Sequence, residues 1–145
     1  DLAISAKGDI EVDDHHTVED VGICLGQAFS RALGGKTGIN RYGSCHLPMD
    51  ETLVRVVADI SNRPFLQYNV LLADQKVGTF DTGRGKEFLR AFSLHAGVTL
   101  HVDMLHGENG HHILEAVFKG LGRTMHEACS LSEHVSGVLS SKGLL

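Results

Sequence analysis

The hexad Asp14-His15-His16-Thr17-Val18-Glu19 returns 96 positions later as Gly110-His111-His112-Ile113-Leu114-Glu115, and both copies spell HHxxE. Each closes a polar turn and opens an apolar run of helical period. On a helix the first His and the Glu stand at i and i+4 and the second His and the Glu at i and i+3. Each copy therefore gathers two imidazoles and a carboxylate at one helix start. Adjacent histidines also occur on solvated helix ends, but an ornamental surface has no reason to repeat its ligands in register. A chain with this repeat is constrained to a duplicated fold with two ligand clusters at two helix starts.

The register extends beyond the ligands: Leu25 matches Leu121, Gly26 matches Gly122 and Ala32 matches Ala128. The first helix is predicted from His16 to Leu33, with Val18, Val21, Leu25, Ala28, Phe29 and Ala32 as its apolar stripe and Gly34-Gly35 as its stop. The second runs from the Gly107–Gly110 turn to about Cys129, with Leu114, Val117, Leu121, Met125 and Ala128 inward. Alternation over residues 1–12, with Leu2, Ile4 and Ala6 on one side, predicts a half-buried strand. Cys45 to Asp59 reads as strand interrupted at Met49-Asp50-Glu51, and Ser61–Pro64 as a turn into Phe65–Leu72, which pairs with it antiparallel. A helix follows from about Lys86 to His95 with Phe88, Leu89 and Phe92 inward, then a strand over Val98–Met104.

These elements spell an α+β fold, an internally duplicated strand-strand-helix-strand-helix unit whose sheets pack on helices. Residues 1–44 are the C-terminal part of a first repeat (strand and HHxxE helix), 45–130 a complete second repeat, and 131–145 a tail. The first copy is truncated at its N-terminus; comparison with the second predicts a strand-strand-helix portion of about 40 residues before Asp1. Two copies in one subunit are expected across a pseudo-twofold axis with their ligand ends apart, so that complete sites combine motifs from neighbouring subunits.

Composition narrows the function. A formal charge of -5 with scattered basic residues argues against a nucleic-acid partner, and no apolar run reaches membrane-spanning length. Three separated cysteines, Cys24, Cys45 and Cys129, fit reduced thiols of a cytosol-like compartment. The ten histidines are the outlying count, and they call for a metal or a titration role.

Imidazole with carboxylate, and no cysteine nearby, suits a divalent ion such as manganese, iron, zinc or nickel. Six ligands in two motifs leave open coordination positions, the mark of a catalytic rather than a structural site. Neither motif is HExxH, so peptide hydrolysis is disfavoured. One turn beyond Glu115 stands Lys119, where the first helix has Ile23; the pair is either a solvated i,i+4 contact or part of an anion site. Arg41 and Arg63 sit in turns, and the tail offers Ser140-Ser141-Lys142-Gly143. Singly each is an ordinary solvated residue; together they suit a bound phosphate. An enzyme acting on a phosphorylated substrate and a non-catalytic metal store both remain open on these residues alone.

Asp13-Asp14-His15-His16-Thr17-Val18-Glu19-Asp20, Pro48-Met49-Asp50-Glu51, the stretch from His111-His112 through Glu115-Ala116 to Phe118-Lys119, and Ser140-Ser141-Lys142-Gly143 resemble the signature stretches of imidazoleglycerol-phosphate dehydratases along the whole chain. The resemblance implies a hydro-lyase of histidine biosynthesis that converts imidazole glycerol phosphate to imidazole acetol phosphate through a metal-bound imidazolate and a diazafulvene-like intermediate. It implies two Mn2+ ions per active site, a homo-oligomeric shell of 24 subunits with sites at subunit interfaces, and a cytoplasmic location, or a plastid in a plant. By the same resemblance His15, His16, Glu19, His111, His112 and Glu115 are metal ligands, and Glu19, Glu115, His15 and His111 act in catalysis. Asp50, Arg41, Arg63, Lys119, Ser140, Ser141 and Lys142 bind substrate. The family's usual His ligand early in the helix before Val98 is matched here by Glu87, within Gly83-Arg84-Gly85-Lys86-Glu87-Phe88.

Overall fold

The structure, a computed structural model, describes residues 2–145. The first helix, α1 (His15–Leu33), is followed by two strands, β1 (Tyr42–Met49) and β2 (Thr52–Asp59), and by β3 (Phe65–Asn69). A two-rung ribbon, β4 (Lys76–Val77) and β5 (Phe80–Asp81), leads into α2 (Gly83–Ala96), β6 (Thr99–His106) and α3 (Gly110–Cys129). The α+β class and the predicted helices hold, and α2 starts a turn earlier than Lys86.

The stretch read as one interrupted strand is a hairpin. Met49 pairs with Thr52 across Asp50-Glu51, and the antiparallel register runs back to Tyr42 opposite Asp59. The expected antiparallel pairing of Phe65–Leu72 with this strand is corrected: the sheet order is β1-β2-β6-β3, so β6 lies between them and β3 pairs with β6 in parallel. The helix α2 supplies the reason. Two strands joined through a helix are a crossover unit, whose strands lie parallel, whereas Ser61–Pro64 is too short only for a crossover and does not oblige its strands to touch.

Buried residues alternate along β2 (Val54, Val56, Ala58) and β6 (Leu100, Val102), so one sheet face meets the helices while Arg55 and His101 face outward. The α3 stripe is buried as expected, with Leu114, Val117, Leu121, Met125 and Ala128 all in the core. Two close approaches seat the helix. Thr124 Oγ1 donates to Val56 O at 3.1 Å, and Gly43 of β1 lies so close to Thr124 O that a side chain has no room.

The α1 helix packs differently. Its buried residues are Gly22 and Gly26, where an added Cβ would come within 2.8 Å of Phe88 O and of Phe92 O in α2. Successive glycines of α1 thus meet successive turns of α2 in the same order, so the two helices run parallel with both starts at one end. Ala28 and Ala32 of the predicted stripe are exposed, because α1 rests on a helix and not on the sheet.

The strand predicted over residues 1–12 is not formed: residues 2–9 have no regular structure and are exposed, and Val12 N donates to Asp9 O in a turn. A strand requires a neighbour for its backbone groups. This segment instead follows α1, lining an open groove with Thr17, Val21 and Leu25. Among the described residues no helix is long and apolar enough to cross a membrane.

Candidate active site

The second HHxxE copy is built on a complete cap. Asn109 takes an extended backbone and its side chain accepts from His111 N at 2.9 Å and His112 N at 3.4 Å. His111 Nε2 then meets Glu115 Oε2 at 3.0 Å, the i,i+4 contact expected from the motif. Lys119 Nζ lies 2.6 Å from Glu115 Oε1 and, with His111, holds that carboxyl below the usual carboxylate range.

Glu51, at the hairpin tip, was not singled out from sequence, and it organises this end. Its Oε1 accepts from Asn109 N at 2.9 Å, from Glu108 N at 3.2 Å and from the Thr52 hydroxyl at 3.0 Å. Its Oε2 lies 2.8 Å from His112 Nδ1. The Asn109 backbone N–H and then the His112 hydrogen bond push the Glu51 carboxyl far down, and the Glu51 hydrogen bond pushes His112 up. With a carboxylate on Nδ1, a neutral His112 carries its proton there and presents Nε2 as a free lone pair. Asp50 stands beside it, 3.8 Å from Nε2 and largely in solvent. The signal available in sequence was a carboxylate at the tip of a two-residue turn.

The first copy is held by other partners. Asp14 precedes α1 in helical conformation and makes no side-chain cap; Asp13 Oδ1 accepts from His15 N at 2.7 Å instead, which lowers the Asp13 pKa. His15 Nε2 and Glu19 Oε2 are 3.9 Å apart, and His16 is exposed. From α2, Arg84 reaches Asp14 Oδ1 with Nε at 2.8 Å, Asp13 Oδ1 with Nη2 at 2.7 Å and His15 Nδ1 with Nη1 at 3.0 Å. Sequence reasoning passed over Arg84. Glu87, the residue at the family's His position, is one turn along α2 and faces Arg90 at 3.8 Å.

The cations sort into two places. Arg41, in a left-handed conformation at φ 69 before β1, forks onto Asp59 with Nε at 2.7 Å and Nη2 at 3.1 Å, and its Nη1 donates to Leu139 O at 2.7 Å. The Asp59 hydrogen bond raises the Arg41 pKa. Arg63 meets the same carboxylate at 3.5 Å, and the tail curls there, Lys142 N donating to Ser140 Oγ at 3.2 Å while Ser141 is exposed. Arg41, Arg63 and the tail therefore converge, and Asp59 is their unpredicted hub. Lys119 does not join them. Arg41 N donates to Ala128 O near the far end of α3, nine residues or about 13 Å beyond Lys119 and about 24 Å beyond His112.

Among the described residues no three His, Cys, Asp or Glu side chains converge closely enough to hold an ion. The two motifs stay apart: α2 lies between them, with Arg84 against the first and Gly85 facing Leu114 of α3.

Comparison with known proteins gives this arrangement its context. The family model of imidazoleglycerol-phosphate dehydratase matches residues 1–125. The chain is 60% identical to the imidazoleglycerol-phosphate dehydratase of Desulfotalea psychrophila over 145 residues, covering all of this chain and 72% of that protein. Against the Thermoanaerobacter pseudethanolicus relative the identity is 56%, covering 100% and 75%. A crystal structure of the Staphylococcus aureus enzyme superposes with a TM-score of 0.83 at 45% identity, covering 88% of this chain and 72% of that one. The Pyrococcus furiosus enzyme, solved in complex with (S)-C348, gives 0.80 at 40% identity, covering 90% and 71%. On the matched motifs, the full-length identity and the shared fold, the chain belongs to the imidazoleglycerol-phosphate dehydratase family.

Proposed function

We propose that the protein is a metal-dependent hydro-lyase of histidine biosynthesis, converting imidazole glycerol phosphate to imidazole acetol phosphate at sites shared between subunits. The observation that carries this reading is the separation within one chain of an imidazole-carboxylate end at His111, His112 and Glu115 from a cationic end at Arg41 and Arg63, where the tail is held at Leu139. A small phosphorylated imidazole needs both, and about 24 Å of helix keeps them apart. A second subunit has to bring its cationic end to the first subunit's motif. A metal store has no use for a guanidinium cluster organised by Asp59.

The donor set fits a divalent ion of the manganese type: neutral imidazole and carboxylate, with no thiolate in either cluster. His15, His16 and Glu19 would hold it in one half-site and His111, His112 and Glu115 in the other, with Glu87 a further oxygen donor. Manganese, two ions per site, would act as a Lewis acid on the substrate imidazole and lower the barrier to losing a proton from carbon beside an alcohol. The protein's part is positional. Glu51 aims His112, Lys119 tethers Glu115, and Asp59 with Leu139 O fixes the Arg41 guanidinium, so that a phosphate would meet its remaining Nη hydrogens already oriented. Arg63, Ser140, Ser141 and Lys142 complete the anion cradle, Lys119 reaches it from the neighbouring subunit, and Asp50 stands at the mouth of the imidazole end. Shared sites of this kind suit a closed homo-oligomer, here a shell of 24 subunits.

The test is turnover by the full-length protein loaded with Mn2+ and given imidazole glycerol phosphate. Ketone product is expected, with none after chelation; absence of ketone from the loaded enzyme overturns the reading. Chelation is also expected to shrink the particle in light scattering, since shared ligands tie subunits together.

A further inference from the structure

The partners of the two motifs are opposite in kind. His112 faces a carboxylate at Nδ1, whereas His15 faces a guanidinium there. We propose that Arg84 is a latch on the first HHxxE motif, a positioning residue that holds His15 in a form unable to serve as a ligand and that must release it when metal loads. The proposal rests on the metal-site reading above.

A guanidinium only donates, so the His15 nitrogen 3.0 Å from Arg84 Nη1 must accept, and the ring proton lies on Nε2. His15 has two ways to become a ligand. Through Nε2 it must first move its proton to Nδ1, which sets two N–H donors against each other across that contact. Through Nδ1 it must give up the lone pair that Arg84 already uses. Both routes break the contact. At the second motif Glu51 accepts at His112 Nδ1, so ligation through Nε2 costs no partner.

Arg84 is well anchored for such a role. Its side chain is only 20% exposed, and its other two nitrogens grip Asp13 and Asp14 at 2.7 and 2.8 Å. Asp13 Oδ1 also accepts from His15 N at 2.7 Å, so Arg84 holds the imidazole and the carboxylates of the same turn together. Gly83 and Gly85 flank it; Gly85 has Leu114 of α3 only 3.0 Å from the place of an added Cβ, so the small residue lets α2 start close to α3 with Arg84 turned toward α1.

The experiment titrates the metal-free, full-length protein with Mn2+, following the electron paramagnetic resonance signal of the free ion. Arg84→Met keeps the length and apolar stem while removing the donors, and should raise the Mn2+ affinity about tenfold. Equal or weaker binding by Arg84→Met overturns the latch; because losing a cation beside the motif favours Mn2+ by itself, tighter binding counts for the latch only together with the His15 tautomer read below. If neither protein takes up Mn2+, the metal reading falls as well; uptake by the variant alone supports the latch. Nitrogen solid-state NMR of the histidine-labelled wild type needs no variant. Nε2–H at His15 and a protonated Nδ1 at His112 are expected in the metal-free protein, and Nδ1–H at His15 overturns the latch.

Discussion

The starts of α1 and α3 carry one motif in two settings. At α3 an asparagine cap, a hairpin carboxylate and a lysine surround the histidines; at α1 an uncapped aspartate pair and an arginine do. Ligand spacing is a local property, fixed once a helix forms, and it survives duplication intact. The partners come from distant chain, β1-β2 in one case and α2 in the other, and have diverged. The difference teaches that the repeated ligands alone do not make equivalent sites, since the groups touching Nδ1 decide what each imidazole can offer.

The largest effect should come from a ligand-side position charged in only one copy, Lys119 against Ile23. If Lys119 reaches a substrate phosphate across a subunit interface, Lys119→Ala should lower kcat/KM by about ten- to a hundredfold with metal content unchanged. Steady-state kinetics with metal analysis on the same samples checks this. Activity within about twofold of wild type would leave only the surface pair with Glu115, and lost metal would mean that Lys119 supports the ligand instead.

The next contrast is between registered glycines. Gly26 of α1 approaches α2 so closely that an added Cβ would stand 2.8 Å from Phe92 O and 2.9 Å from His95 Cβ, whereas Gly122 of α3 has nothing within 4 Å. Gly26→Ala should therefore destabilise by about 1–3 kcal/mol through forced separation of the helices. Gly122→Ala should stabilise by about 0.5–1 kcal/mol through helix propensity alone. Denaturant unfolding of both variants gives the two signs; equal signs would mean that α1 does not rest on α2 as described.

Capping gives a smaller contrast. Asn109→Ala should cost about 1 kcal/mol in the same measurement, since two backbone N–H groups lose their acceptor. Asp14→Asn removes no cap, because Asp14 makes none. Its only loss is the ion pair with Arg84, so in an Arg84→Met background Asp14→Asn should be near neutral, and a loss there equal to that of Asn109→Ala would mean that the helix starts are capped alike.

What sequence made legible follows the same line between local and distant. Periodicity gave α1, α2, α3 and β6, and the spacing of His111 and Glu115 gave their contact, because a helix sets these distances by itself. The strand over residues 1–12 and the β2–β3 pairing failed because each depends on which neighbour is present, and alternation carries no information about that. Arg84, Glu51 and Asp59 were missed for the same reason. Each is an unremarked charged residue in its own segment, and it gains its role from contacts up to 71 positions away. The cation cluster was half legible: glycine- and proline-flanked turns pointed to Arg41 and Arg63, but only the fold shows that Lys119 stands apart.

The smallest expected effect tests the Glu51–His112 pair by pH in the metal-free protein. His112 is raised from 6.5 by its Glu51 hydrogen bond, so its contribution is fully present below the ordinary histidine value and is lost as pH rises through the raised one. Glu51 is lowered from 4.5, so its contribution is present above that value and is lost as pH falls through the depressed one. The stability difference between wild type and Glu51→Gln should accordingly be greatest between pH 4.5 and 6.5 and shrink as the buffer is made alkaline. Thermal melts of wild type and Glu51→Gln across pH check this. A Glu51→Gln difference that grows toward alkaline pH would mean that His112 is not held by the hairpin carboxylate, and the contrast between the two motifs would lose its acidic half.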